Sequence, residues 1–331
     1  MSKTIVIVGV TGIQGSSVAH TFLRLPGWKV RGITRKPSSP AAQALATKGV
    51  EIVQADLDDK QSLLPAFEGA NVIFSNTDFF GHLQDALFGG NISLGARSPN
   101  EYAFDREVEQ GLNIAEAAAS PTVLKTLERF VLSSLSDARK LSGGKYTYVY
   151  HNDAKAEIIR ATQAQFPEVA ARTSTVQVGH YVTNWKASPP LMPQKQPDGS
   201  FVVQRTFGPK YKIPFVVAHE DTGEFVKVLV DLPPGKDLLG VSEHMTWPAW
   251  TKLWGDTLGV KASFKQVSED EYFTGVPDAL RKELAETFAY VEEFGYTGGD
   301  PNVLTAEEIG IEVSLTSMKD YIKREDWSSV L

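Results

Sequence analysis

The residues that promise chemistry begin at Gly9-Val10-Thr11-Gly12-Ile13-Gln14-Gly15, where every third position is glycine and the preceding run Thr4–Gly9 is almost wholly apolar. A glycine triplet after a buried strand suits a pyrophosphate. One glycine makes the tight turn, the next lets backbone approach the phosphates, and the third lets helix pack on strand. The helix that follows presents unpaired N–H groups and the positive end of its dipole. Gly9, Thr11, Gly12, Ile13, Gln14 and Gly15 are therefore the candidate phosphate-binding residues; the alternative is a tight strand-to-helix turn without a ligand. Selection among dinucleotides is expected at the end of the second strand, where an NAD site carries an acid for the ribose hydroxyls. Here Thr34-Arg35-Lys36 stands in that place, and no Asp or Glu precedes Glu51. Arg35 and Lys36 suit a 2′-phosphate, Arg through paired charge-assisted bonds, so the expected cofactor is NADP(H); the competing reading is two ordinary solvated cations. Asp56 and Leu57, after the third strand, fall where adenine is expected, although Asp56 reads equally as a helix cap. Thr77 follows the fourth strand, on the way over the nicotinamide, with Phe79 and Phe80 either core or pocket wall.

Composition narrows the alternatives. The 331 residues carry 33 Lys+Arg against 40 Asp+Glu, a net charge of −7. All seven charged residues before position 50 are basic. With the sequence pI at about 5.5, that excess reads as a local phosphate setting and not as a nucleic-acid surface. The absence of Cys removes disulfides, thiolate nucleophiles and Cys-containing zinc sites. The six His, at 20, 82, 151, 180, 219 and 244, do not fall at metal-ligand spacing, so no metal is expected. The apolar run Ile5–Val10 is too short for a signal core or a membrane span. The expectation is a soluble cytoplasmic protein, with the nucleus as a second location, and with neither a membrane nor direct nucleic-acid contact.

These residues need a scaffold, and the chain alternates strand and helix patterns to about residue 180. Strands are expected at Thr4–Gly9, Trp28–Thr34, Val50–Gln54, Asn71–Asn76, Phe130–Ser133 and Ala171–Val178. Helices are expected at Ile13–Leu25, Ala41–Lys48, Asp59–Phe67, Ser98–Ala119 (opened by a capping box) and Asn152–Gln165. Right-handed crossovers then give an α/β fold, a Rossmann-like doubly wound parallel sheet. The expected division is a dinucleotide-binding domain over 1–180, completed by strands near 215–242, and a smaller α/β region over 181–331 for a substrate or partner. In that region Trp247, Trp250 and Trp254 share one helical face and read as core. Pro277–Phe294 reads as an acidic amphipathic helix with a solvated charged face.

GVTGIQG, the Arg35-Lys36 pair, QADLDD at Gln54–Asp59, FVLSS at Phe130–Ser134 and HNDAK at His151–Lys155 together resemble the NmrA-like family, an atypical branch of the short-chain dehydrogenase/reductase superfamily. VGHYVTNW at Val178–Trp185 and DYIKREDW at Asp320–Trp327 resemble its fungal members. The resemblance covers nearly the whole chain. It implies an NAD(P)-binding Rossmann domain with a small carboxyl-terminal region, and either a redox-sensing regulator of a transcription factor or a reductase. Ordinary members of the superfamily place a Tyr four residues before a Lys, with a Ser from the fifth strand; the Tyr donates a proton, and the Lys lowers its pKa and holds the ribose. Lys155 and Ser133 or Ser134 match, but His151 occupies the Tyr position, and Tyr150 is one residue out of register, turned about 100° away. His151 is one substitute acid, since histidine is the side chain suited to proton transfer around neutral pH. Tyr148, seven residues before Lys155, is another if the helix begins early enough. The departure favours an NADP(H)-binding redox sensor with a protein partner. The alternative is an NADPH-dependent reductase of a small carbonyl or enone, using Lys155 with His151 or Tyr148.

Overall fold

The computed structural model describes residues 2–90, 92–187 and 189–331. Its centre is an eight-stranded sheet built from β1 (Lys3–Val8), β2 (Trp28–Thr34), β3 (Glu51–Gln54), β4 (Val72–Ser75), β5 (Arg129–Ser134), β6 (Thr173–Val178), β7 (Asp237–Gly240) and β8 (Val303–Thr305). Their order is β8-β7-β6-β5-β4-β1-β2-β3, and every pairing is parallel. The order reverses between β1 and β4. Such a reversal opens a crevice at the carboxyl edge of the sheet, which is where doubly wound folds bind ligands.

Alternation along the strands explains the two buried faces. Ile5, Ile7, Val72, Phe74 and Val131 pack with the helices Ile13–Leu23 and Ala218–Asp231. Val6, Val8, Ile73, Phe130 and Leu132 pack on the other side, with Phe67, Ile114 and Ile158. The helix Pro99–Ala118 opens with the expected capping box: Ser98 Oγ accepts from Glu101 N–H, and Glu101 Oε2 accepts from Ser98 N–H at 2.8 Å.

Three parts differ from expectation. The long loop after β4 contains a helix, Phe79–Phe88, capped by Asp78, which accepts from Gly81 N–H at 3.0 Å. Of the strands expected near 215–242, only Asp237–Gly240 joins the large sheet. Lys212–Val216 contains Pro214, which has no N–H to donate and suits a small sheet better than a central ladder. It pairs with His180–Tyr181 and Glu243–Thr246. The eighth strand, Val303–Thr305, has no counterpart in the sequence reading.

A second core lies over the carboxyl edge. The helix Trp247–Leu258 buries Trp247, Trp250 and Trp254 among Phe201, Phe215, Tyr290 and Trp327. Among the described residues, no helix is long and apolar enough to cross a membrane, and no group of three or more His, Asp or Glu is placed to hold a metal ion.

Candidate functional site

The glycine turn has the geometry its spacing requires. Gly9 adopts φ +66°, a left-handed conformation that costs glycine nothing. Gly12 caps the first helix without a side-chain bond, and no acid occupies the first turn. The N–H groups of Ile13, Gln14 and Gly15 therefore lack carbonyl partners within their own helix. Gly15 is buried against the turn, where a Cβ would lie 2.2 Å from the Gly9 carbonyl oxygen. Gly9, Thr11, Gly12 and Ile13 are exposed, forming an open cradle. The Gln14 side chain turns inward instead: its Nε2 donates to Tyr181 Oη at 2.6 Å, leaving only its backbone for a ligand. The sequence reading missed Gly32, on β2. A Cβ there would meet the Val10 side chain at 2.6 Å, so this glycine seats the turn against the neighbouring strand.

Val8 pairs with Ile33, so Arg35 and Lys36 leave the sheet beside the glycine turn. Both are exposed. Lys3, Arg24 and Arg31 of the basic stretch are drawn into ion pairs with Glu128, Glu224 and Glu51. Among the described residues, neither the Arg35 nor the Lys36 side chain has an ion pair or a hydrogen bond. Asp56 Oδ1 accepts from Asp58 N–H at 3.1 Å, while the helix Lys60–Phe67 is capped by Asp59. Asp56 is thus not the helix cap. Leu57 offers its carbonyl to Asn113 Nδ2 at 2.8 Å.

At the end of β4 the structure brings Thr77 and Lys155 together and adds a residue the sequence reading missed. Lys155 Nζ lies 2.9 Å from Glu107 Oε1 and 3.2 Å from both the carbonyl and the hydroxyl of Thr77. Thr77 Oγ1 also donates to Glu107 Oε1 at 2.7 Å. Glu107 is fully buried on the helix Pro99–Ala118, and among the described residues its Oε2 has no partner. Ser133 and Ser134 are both buried. Since Leu132 packs on the side of Ile158, alternation turns Ser134 toward the helix that carries Lys155 and Ser133 toward the opposite face. Ser134 Oγ donates to the Leu135 carbonyl at 3.2 Å.

His151 and Lys155 lie one turn apart on the helix Tyr150–Gln165. Because that helix begins at Tyr150, Tyr148 lies outside it and does not share the face of Lys155. Its ring sits edge-on to Tyr150 and under Lys282. Tyr150 faces outward, to Phe104 and Arg139, in keeping with its register.

His151 has a partner from the far end of the chain. Its Nδ1 lies 2.6 Å from Glu283 Oε1, which also accepts the His151 backbone N–H at 2.9 Å. Glu283 Oε2 accepts from Asn100 Nδ2 at 2.8 Å, and the carboxylate is fully buried. This corrects the expectation for the helix Asp278–Phe294: one of its acids faces the site and not solvent. An ionised Glu283 requires the proton on Nδ1 and leaves Nε2 as the exchanging nitrogen. The imidazole packs against Phe79 and Phe80, with ring centroids at 6.0 and 5.0 Å and the two Phe rings 5.5 Å from each other, so the Phe pair walls one side of this position.

Beside His151, Asp153 is buried, and burial pushes its carboxyl up to about 6, against the pull of the Arg139 N–H and guanidinium. The raised folded-state value means the native form holds a proton that the unfolded chain has lost. Stability from this group is therefore present below about pH 4 and lost as pH rises through about 6. Asp153→Asn keeps an acceptor for Arg139 N–H and removes the titration. It is expected to leave stability unchanged near pH 4 and raise it by about 1–3 kcal/mol at pH 8, as read by urea unfolding of both proteins. Equal midpoints at both pH values would contradict this.

An NmrA-like family model matches residues 1–330. An NmrA-like family domain-containing oxidoreductase of Aspergillus hancockii is 30% identical over 91% of this chain and 87% of its own. Among solved structures, NmrA, described as a negative transcriptional regulator, in complex with NAD superposes with a TM-score of 0.75 at 20% identity, over 98% of this chain and 95% of that one. The same regulator in complex with NADP gives 0.71 at 19%, with the same coverage. With its glycine cradle, its reversed strand order and a match along nearly its whole length, the chain belongs to the NmrA-like family, a family of Rossmann-type NAD(P)-binding oxidoreductases.

Proposed function

We propose that the protein is an NADPH-dependent reductase of a small carbonyl or enone in which His151 is the proton donor. The observation that carries this is the buried Asn100–Glu283–His151 chain, which fixes one ring nitrogen and frees the other. The open cradle at Gly9–Ile13 fits a dinucleotide pyrophosphate, and Arg35 and Lys36 fit its 2′-phosphate. Lys155 and Thr77, at the mouth of β4, are assigned to the ribose, and Asp56 and Leu57 to the adenine side. The bound cofactor supplies a hydride. His151 Nε2 gives the matching proton to the substrate oxygen, and Glu283 stabilises the imidazolium beforehand. Phe79 and Phe80 exclude water from the ring. The relative from A. hancockii, named as an oxidoreductase, supports the same reading.

A second reading keeps the site as a sensor. Glu283 belongs to the carboxyl-terminal region, so a change at His151 on cofactor binding would reach a surface for a protein partner such as a transcription factor. One experiment separates the two: NADPH consumption measured with aldehydes, ketones, enones and quinones. Turnover with at least one class is expected. Tight NADPH binding with no consumption across all four would replace the reductase by the sensor.

The cofactor preference has its own test. Arg35→Ala with Lys36→Ala is expected to weaken NADPH binding about 10- to 100-fold, as for two charge-assisted contacts, with NADH binding unchanged in a calorimetric titration. Equal affinity of the unaltered protein for NADP⁺ and NAD⁺ would remove the role given to these two residues.

A further inference from the structure

Away from the dinucleotide crevice, the carboxyl-terminal core encloses a cavity of about 10 Å³, room for one water-sized occupant. His180, Asn184, Arg205, Trp247 and Trp250 line it, together with apolar side chains. Arg205 is buried at 4% exposure, and among the described residues no carboxylate pairs with it. Its terminal nitrogens donate to the carbonyls of Gln204 at 2.6 Å and Leu191 at 2.8 Å, with Pro190 at 3.5 Å, and the guanidinium lies 4.0 Å over the Trp247 ring. The Tyr272 hydroxyl stands beside it and remains protonated, because burial raises its pKa. A buried cation neutralised only by dipoles and a ring face is costly.

Among the described residues, two N–H groups on the lining residues are buried with no acceptor, Trp247 Nε1 and Trp250 Nε1, and Arg205 Nε has none beyond the neighbouring Tyr272 hydroxyl. Trp254 Nε1 on the same helix is also unpaired, but its ring packs on Phe201 and Trp327. Arginine and tryptophan nitrogens only donate. A water placed among them would have to find acceptors for its own hydrogens at His180 or Asn184, and it would leave the charge of Arg205 uncompensated. Burial and the nearby Arg205 hold His180 down at about 3, so it adds no second charge at neutral pH.

We propose that this cavity is a binding site for a small inorganic monoanion of halide size, held by Arg205 and the two indole N–H groups. The cavity is too small for sulfate, phosphate or a carboxylate-bearing metabolite. The anion supplies the missing negative charge and ties the strand Phe201–Arg205 to the helix Trp247–Leu258. Tyr181, next to His180, carries the bond to Gln14, so the site adjoins the glycine turn without being part of it.

The deciding experiment is a crystal of the full chain grown in sodium bromide. An anomalous bromide peak within hydrogen-bonding distance of Arg205 and at least one indole nitrogen is expected. A water there, with no anomalous signal, would overturn the proposal. In solution, Tm in sodium chloride is expected to exceed that in sodium gluconate at equal ionic strength by about 2–4 °C, with sulfate resembling gluconate. Arg205→Met is expected to abolish the difference. Equal Tm of the unaltered protein in chloride and gluconate would overturn the proposal even if the variant fails to fold.

Discussion

Gly15→Ala is expected to lower NADPH affinity at least about 100-fold, a loss of roughly 3 kcal/mol, and to lower Tm as well. The added methyl would sit 2.2 Å from the Gly9 carbonyl oxygen and 2.8 Å from both the Gly9 carbonyl carbon and Val10 Cα. All three are backbone atoms, so relief comes only by moving the first helix off the turn. That shift carries away the orphan N–H groups of Ile13 and Gln14 that face the cradle. Gly12→Ala gives the contrast. Its Cβ would stand 3.3 Å from the Gly9 oxygen, a contact that a few tenths of an ångström relieve. This variant is expected to keep a Tm within about 2 °C and still to bind NADPH more weakly, because the methyl projects at the exposed cradle. Unchanged binding in Gly15→Ala would mean that the turn is structural only.

Glu107→Ala is expected to destabilise the fold by about 3–5 kcal/mol, the usual cost of leaving a buried charge without its partner. Lys155 Nζ would keep only the two oxygens of Thr77, at 3.2 Å, and would face the void left by the carboxylate. Urea unfolding is the measure. The double variant Glu107→Leu with Lys155→Met removes both charges while filling the space. It is expected to recover most of the loss, since hydrophobic replacement of a buried pair is often neutral. NADPH binding is not expected to recover, because Lys155 is assigned to the ribose. Wild-type stability in Glu107→Ala would show that Lys155 reaches solvent.

The dinucleotide half of the site was readable because its signals are local. The turn, the strand before it and the helix after it lie within the 21 residues Lys3–Leu23, and the glycine spacing reports their backbone geometry directly. The catalytic half depends on pairs separated by 48 residues (Lys155 with Glu107) and 132 residues (His151 with Glu283). No local pattern encodes such pairings. One signal was present all the same. Ala103, Glu107 and Ile114 are buried on one face of the helix Pro99–Ala118, as are Glu283, Tyr290 and Val291 on that of Asp278–Phe294. An acid at helical spacing from buried aromatic and apolar positions, as Glu283 is from Tyr290 and Val291, is a candidate for a buried partner, whereas the face of Glu107 also carries the buried Asn100 and Gln110, which blurs the signal. The helix Phe79–Phe88 was hidden by Gly81 in its first turn and by Gly89-Gly90 behind it, although Asp78 supplied a cap. The strand Val303–Thr305 has three residues, too few for alternation to identify.

The role of His151 is tested most directly by kcat for an accepted carbonyl or enone in the wild type and in His151→Gln, with NADPH affinity measured on both. Loss of a positioned general acid typically costs 10²- to 10⁴-fold. The variant is therefore expected to show kcat reduced at least about 100-fold and NADPH affinity within about twofold of the wild type, about 0.4 kcal/mol. A variant that turns over as fast as the wild type would contradict the assignment of His151 as proton donor, whatever cofactor the protein binds.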